Sequence, residues 1–225
     1  MPTTPAPVTA LVPLRAGGKS RLGAALDAPS RADLVLAMLD DVVTALQGAG
    51  VDDIRLLASG DDALHAARAR GLPAIPDPQA DGPQNGDGRL RRAVDAGLAA
   101  VPIDRDRLVV AADLPLLSAT EVSTVLAVPA DVVVVPTSGG GTALLRLAPD
   151  VDLGPHPLTR YGPGSAAAHV MLARRAGRTV TLLELPGARH DVDAAADLAA
   201  LQELLTAGST GLGRASAAFL SGSHG

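Results

Sequence analysis

The sequence predicts an α/β fold: a mainly parallel mixed sheet flanked by helices, arranged as a Rossmann-like three-layer sandwich. Three observations carry the prediction. Apolar runs of strand length alternate with segments whose apolar residues recur at helical spacing. The strand candidates are apolar throughout, as in Val132, Val133, Val134 and Val135, the pattern of a sheet covered on both faces. The chain has 225 residues, 47% apolar and 19% charged, which suits one domain with a real core and is too apolar for disorder.

The elements follow in order. Val8–Leu14 is a short apolar run and the first strand. Residues 30–49 place Leu34, Met38, Val42 and Leu46 at helical spacing and end between Gly48 and Gly50. Residues 54–58 form a second strand, 61–70 a helix closed by Gly71, and 74–75 a short third strand. Residues 76–88 are rich in Pro, Gly and Asp and read as a loop. A helix covers 90–100, and the buried-type strand 108–112 ends at Asp113. Ser118 with Glu121 three positions on is a capping box that opens the next helix. Strands at 132–135 and Thr142–Leu147 flank a glycine run. Residues 165–176 are helical, 179–185 a strand and 194–206 a helix. The domain is expected over 1–207, with the Gly/Ser-rich stretch 208–225 as a mobile tail.

Composition excludes several function classes. Nineteen basic against 24 acidic residues give a net charge of −5, and no basic block exists, which argues against a nucleic-acid partner. One Tyr, one Phe and no Trp leave no platform for stacking bases. Zero cysteines exclude disulfides, thiolate metal sites and cysteine nucleophiles. No apolar run is long enough to span a membrane and no secretion signal is visible, so a cytoplasmic location is expected. Lys19 is the only lysine among the 19 basic residues.

Ligands of such sheets bind beyond the carboxyl ends of the strands. The first strand is followed by Arg15-Ala16-Gly17-Gly18-Lys19-Ser20-Arg21-Leu22, a cationic Gly-rich turn suited to phosphate. It is not a P-loop, because the leading glycine of that motif would fall at Pro13. A solvated basic turn is the competing reading. Asp113, at the end of a buried strand, is placed either to hold a hard cation or to cap its turn.

Asp191-Val192-Asp193 puts two carboxylates on one side of an extended segment, and without Cys or His partners they favour Mg²⁺ or Mn²⁺ over Zn²⁺. Asp193 also reads as the cap of the following helix. Tyr161-Gly162-Pro163-Gly164-Ser165 leads into a helix whose N-terminus is either an anion site or an ordinary cap. Ser138-Gly139-Gly140-Gly141-Thr142 offers a second close backbone approach, or a flexible hairpin. Together these features suggest a metal-dependent enzyme of phosphorylated substrates.

The ordered set Val12-Pro13-Leu14, Lys19-Ser20-Arg21-Leu22, Ala112-Asp113-Leu114-Pro115-Leu116-Leu117, Arg160-Tyr161-Gly162-Pro163-Gly164-Ser165 with His169, and Asp191-Val192-Asp193 is similar to the 2-phospho-L-lactate / phosphoenolpyruvate guanylyltransferase family of coenzyme F-420 biosynthesis. The resemblance spans about residues 8–205. It implies a nucleotide-diphospho-sugar transferase-like fold and transfer of GMP from GTP to a phosphorylated three-carbon acid, with release of pyrophosphate. By the resemblance, Asp113, Asp191 and Asp193 match metal-binding carboxylates, with Mg²⁺ expected and Mn²⁺ the alternative. Thr142, Gly162 and Ser165 match the acid-binding positions. Lys19 and Arg21 match the nucleotide-phosphate loop, and Lys19, Arg21 and Asp113 are the expected catalytic set. Two rivals stay open: another nucleotidyltransferase of the same fold, of the molybdenum-cofactor guanylyltransferase or sugar-1-phosphate type, and a non-catalytic nucleotide-binding protein.

Overall fold

The computed structural model describes residues 6–14, 19–76, 86–152, 159–207 and 211–222. Arg15, Ala16, Gly17 and Gly18 of the cationic turn lie outside the described residues, as do positions 77–85 of the Pro/Gly-rich loop. In chain order the elements are β1 (Val8–Leu14), α1 (Ala28–Gly48), β2 (Asp53–Ala58), α2 (Asp61–Ala69), β3 (Ala74–Pro76), α3 (Gly86–Ala99), β4 (Asp106–Val110), α4 (Ala119–Ala127), β5 (Val132–Pro136), β6 (Thr142–Leu147), α5 (Ser165–Arg175), β7 (Val180–Leu182), α6 (Ala195–Thr206) and α7 (Arg214–Gly222). Single 3-10 turns cover Ser20–Ala24 and Gly187–Arg189.

The seven strands form one sheet in the order β3-β2-β1-β4-β6-β5-β7. β6 runs antiparallel to β4 and β5, and every other pairing is parallel. This is the mainly parallel mixed sheet expected. Alternate strand residues feed two cores. Ala10, Val12, Leu56, Leu108, Val110, Val133 and Val135 face one side, with α1, α2, α4, α6 and α7 packed over them. Leu11, Leu57, Val109, Val134 and Leu145 face the other, against Val94 and Leu98 of α3 and Ala166 and Ala173 of α5. The period of two along each strand therefore produces the three layers.

Local signals set most boundaries. At α4, Glu121 N–H donates to Ser118 Oγ at 3.2 Å and Ser118 N–H donates to Glu121 Oε2 at 2.9 Å, the reciprocal cap expected. Helix α1 starts two residues before the expected Ser30, because the Asp27 carboxylate accepts the Ser30 N–H at 2.8 Å and Pro29 is tolerated in a first turn. β7 is shorter than the expected 179–185. Leu183 N–H still pairs with Val134, but the chain then turns so that Gly187 N–H meets Glu121 Oε1 at 2.7 Å. A Cβ at Gly187 would lie 2.1 Å from the Leu116 carbonyl, so only glycine fits that approach.

The expected mobile tail is corrected for residues 214–222, which form α7 on α1. Asp41, buried on α1, accepts Ala215 N–H at 2.8 Å, Ser216 N–H at 3.0 Å and Ser216 Oγ–H at 2.7 Å. It supplies the cap that Gly213, without a side chain, cannot. Leu220 and Phe219 join the larger core.

Candidate active site

A cleft of about 490 Å³ opens at the carboxyl edge of the sheet. Leu14 at the end of β1, Ser59 after β2, and Ala111, Ala112 and Asp113 after β4 line it. Because β6 runs against β4, with Leu144 opposite Val110, the first residue of β6, Thr142, reaches the same edge. Lys19, Ser20, Arg21, Arg89, Tyr161 and Asp193 complete the wall.

The structure gathers most of the expected residues. Lys19 sits in the left-handed backbone region at φ 65°, a conformation that costs a non-glycine residue on the order of 1 kcal/mol. From there its ammonium contacts the carboxylates of both Asp113 and Asp193. Burial weakens the ammonium, but the charges of Asp113 and then Asp193, and the hydrogen bonds to them, outweigh it and raise its pKa above the ordinary lysine value.

Asp191 lies beside this pair and does not line the cleft. Burial first, then the charges of Asp113 and Asp193, raise its pKa, with Lys19 acting in the opposite sense. Asp191 thus adds a third negative charge near the two carboxylates that contact Lys19. Val192 between Asp191 and Asp193 is buried and its N–H reaches the Asp113 carbonyl at 3.3 Å, which ties the two segments together. The Asp197 carboxylate accepts the N–H groups of Asp193 at 3.0 Å and Ala194 at 2.8 Å. The start of α6 is therefore held by Asp197, and the carboxylate of Asp193 is turned toward Lys19 instead of capping the helix.

Among the described residues no group of three or more His, Cys, Asp or Glu side chains stands in metal-holding arrangement. Asp113 and Asp193, however, already converge on one cationic centre, the Lys19 ammonium. A hard divalent cation of the magnesium type uses one or two protein carboxylates plus substrate oxygens, so this pair of oxygen donors suits it.

The acid-binding candidates adjoin the end of β4, where Ala111 N–H donates to the carbonyl of Ala143, the neighbour of Thr142. Thr142 Oγ1 is 2.9 Å from Ser165 Oγ and 3.0 Å from His169 Nδ1. Ser165 does not line the cleft itself and joins it through Thr142. Gly162 (φ 107°) and Gly164 (φ 71°) turn the chain into α5 through conformations that L side chains rarely adopt. The Gly162 carbonyl accepts Ser165 N–H at 3.1 Å, and the Gly140 carbonyl accepts Ala166 N–H at 3.4 Å.

The glycine run is likewise closed on itself. Gly140 and Gly141 N–H groups donate to Thr137, and Ser138 N–H donates to the Arg189 carbonyl. These N–H groups are not an open anion cradle, which corrects the backbone reading and leaves hydroxyls as the polar groups here. Sequence reasoning did not single out Ser59. The signal that finds it is its place immediately after β2, at the strand edge where ligands bind. Arg89, at the start of α3, also lines the cleft.

Fold and site together define a nucleotidyltransferase-type chain, a nucleotide-diphospho-sugar transferase-like sheet with carboxylates and cations at its ligand edge. The chain belongs to the family described as guanylyl transferase CofC like, whose model matches residues 8–220. It is 35% identical over 209 residues to the phosphoenolpyruvate guanylyltransferase of Rubrobacter xylanophilus, covering 87% of this chain and 93% of the relative. It is 38% identical over 198 residues to the Conexibacter woesei protein of the same name, covering 84% and 83%. The 2-phospho-L-lactate guanylyltransferase of Methanothermobacter thermautotrophicus is 33% identical over 182 residues, covering 80% and 76%.

Two solved structures share the fold at 18% identity. One, from Desulfovibrio desulfuricans G20, is assigned by name to the nucleotide-diphospho-sugar transferases; it has a TM-score of 0.66 over 95% of this chain and 94% of its own. The other is a nucleotidyl transferase from Methanothermobacter with a TM-score of 0.63 over 90% and 99%. Among the described residues no helix is long and apolar enough to cross a membrane.

Proposed function

We propose that this chain transfers GMP from GTP to phosphoenolpyruvate, releasing pyrophosphate, in the biosynthesis of coenzyme F-420. The observation that carries the reading is the convergence of Lys19, Asp113 and Asp193 on a cleft that Thr142, the hydrogen-bond partner of Ser165, also lines. Relatives named for phosphoenolpyruvate at 35% and 38% identity favour that acceptor over 2-phospho-L-lactate.

The chemistry is a charge problem. The acceptor's phosphate oxygen is already ionised at neutral pH, so it attacks the α-phosphorus of GTP without a protein base. The new P–O bond forms as the bond to the β-phosphate oxygen breaks, and pyrophosphate leaves with that electron pair. The obstacle is bringing two polyanions together.

Lys19 and Arg21 place positive charge against the nucleotide phosphates and the departing pyrophosphate. Thr142 and Ser165 hold the acid, and the turn at Gly162 positions Ser165. Asp113 and Asp193 are the residues that would hold Mg²⁺, with Asp191 adding negative charge beside them. Bound there, Mg²⁺ supplies neutralisation of phosphate charge and stabilisation of the in-line transition state.

The test is an acceptor panel. Phosphoenolpyruvate, 2-phospho-L-lactate, 3-phosphoglycerate and a sugar 1-phosphate are each supplied with GTP and Mg²⁺, and pyrophosphate is measured. The expected result is fastest release with phosphoenolpyruvate. Faster release with another acid reassigns the acceptor, and GTP binding without release from any of them overturns the reading.

A further inference from the structure

His169 sits at the end of a chain of hydrogen bonds whose proton order is determined by the backbone. It is 1% exposed on α5. Its Nε2 lies 2.6 Å from the backbone N–H of Arg160. A backbone N–H only donates, so Nε2 accepts and carries no proton. Burial, aided by the charge of Arg160, pushes the imidazole pKa down to about 4, so the ring is neutral near pH 7. Its one proton is therefore on Nδ1. Nδ1 faces Thr142 Oγ1 at 3.0 Å, and the threonine oxygen accepts from it. Tyr161 packs against the ring edge-on, with centroids 5.5 Å apart and planes at 74°, and so restrains its orientation.

Thr142 and Ser165 carry two hydroxyl protons. One is used in their mutual hydrogen bond at 2.9 Å. The other cannot go to His169, because Nδ1 is itself a donor. The pair is thus left with one O–H donor that has no acceptor among the described residues, beside a cleft that Thr142 lines. With the opposite tautomer, Nδ1 would take that proton and the pair would turn lone pairs toward the cleft, which repel an anion.

We propose that His169 is a positioning residue that makes the Thr142–Ser165 pair a net hydrogen-bond donor to an anionic oxygen of the acceptor acid. This rests on the reading of Thr142 and Ser165 as the acid-holding residues. It adds a specificity element: the site accepts an ionised oxygen at this point and disfavours a ligand that offers only a donor there.

Two measurements test it. The first is the imidazole ¹⁵N spectrum of the wild-type protein without ligand near pH 7. The proton is expected on Nδ1 of His169, and a proton on Nε2, or an imidazolium, overturns the proposal.

The second is steady-state kinetics of His169→Gln and His169→Asn, each checked for folding by circular dichroism. Asparagine places an amide donor near the position of Nδ1, whereas glutamine reaches the position of Nε2. His169→Gln is expected to raise KM for the acid about tenfold, the loss of a hydrogen bond to a charged group, with KM for GTP unchanged. His169→Asn is expected to recover most of that loss. Equal effects of both variants, or an effect on both substrates alike, overturn the positioning role. Thr142→Val separates the two levels of argument. If it leaves KM for the acid unchanged, the acid-site reading itself fails. If it raises KM while His169→Gln does not, only the role of His169 fails.

Discussion

The ammonium of Lys19 contacts the carboxylate of Asp113 although 94 residues separate them, and it reaches Asp193 from the same position. The chain uses arginine at 18 of its 19 basic positions, and its one lysine stands at this point. A compact ammonium fits between two carboxylates and can then face phosphate as a point charge. A planar guanidinium has a larger head and a fixed donor fork.

Lys19→Arg is therefore expected to lower kcat/KM for GTP at least about tenfold, and Lys19→Ala about a hundredfold, with the fold intact. Pyrophosphate release under subsaturating GTP measures both. Wild-type values for Lys19→Arg would show that charge alone suffices there.

Asp113→Asn and Asp193→Asn should each reduce turnover at least about a hundredfold and raise the Mg²⁺ concentration needed for half-maximal rate. Asp191→Asn is expected to reduce turnover by a similar factor with the fold intact. Near-wild-type turnover for Asp191→Asn would remove that carboxylate from the site and leave a two-carboxylate arrangement. Asp113→Asn also removes a repelling charge, so carboxyl NMR titration should show the Asp191 pKa moving down toward the ordinary aspartate value.

Stability at acid pH should carry the signature of His169. Its pKa is about 4 in the folded state and near 6.5 in the unfolded chain. Between those values the unfolded state binds more protons, so stability rises with pH through this window and is lost as pH falls. The full loss, on the order of 3 kcal/mol, is reached below about pH 4. His169→Gln lacks this titration. Urea unfolding at pH 7.5 and pH 5 should show a larger loss in the wild type than in the variant, and equal losses would contradict the buried neutral ring.

Asp41→Ala removes the cap that joins α1 to α7 and leaves the Ala215 and Ser216 donors without it. A loss of about 2 kcal/mol in urea unfolding is expected, with earlier proteolytic cleavage near Gly213. An unchanged unfolding midpoint would mean that the apolar contacts of Phe219 and Leu220 alone dock the helix.

Much of this architecture is legible locally. β1 begins and ends where its apolar run does, β6 starts directly after the glycine run as expected, and the Ser118–Glu121 cap lies within four residues of chain. Asp113 was legible for another reason: it follows the apolar run of β4, and strand ends deliver residues to the ligand edge, whereas Asp191-Val192-Asp193 stands well beyond the end of β7 at Leu182 and was marked only by its paired carboxylates. Where a cap comes from far away, the signal disappears. The stretch 208–225 reads as a tail because nothing near Gly213 announces that Asp41, 174 residues earlier from Ala215, will cap its helix.

Local sequence therefore sets the alternation of elements, the three-layer class and the identity of the chemical groups near the ligand edge, because period and capping act over a few residues. How those groups meet depends on the packed fold. The antiparallel turn of β6 brings Thr142 to the edge where β4 ends. Packing of α5 puts His169 against Thr142, and the Arg160 backbone decides which imidazole nitrogen holds the proton. Lys19 stands between Asp113 and Asp193 because the segments after β1 and β4 and the start of α6 meet there. These are long-range relations, determined by sheet order and core packing, and no window of sequence contains them.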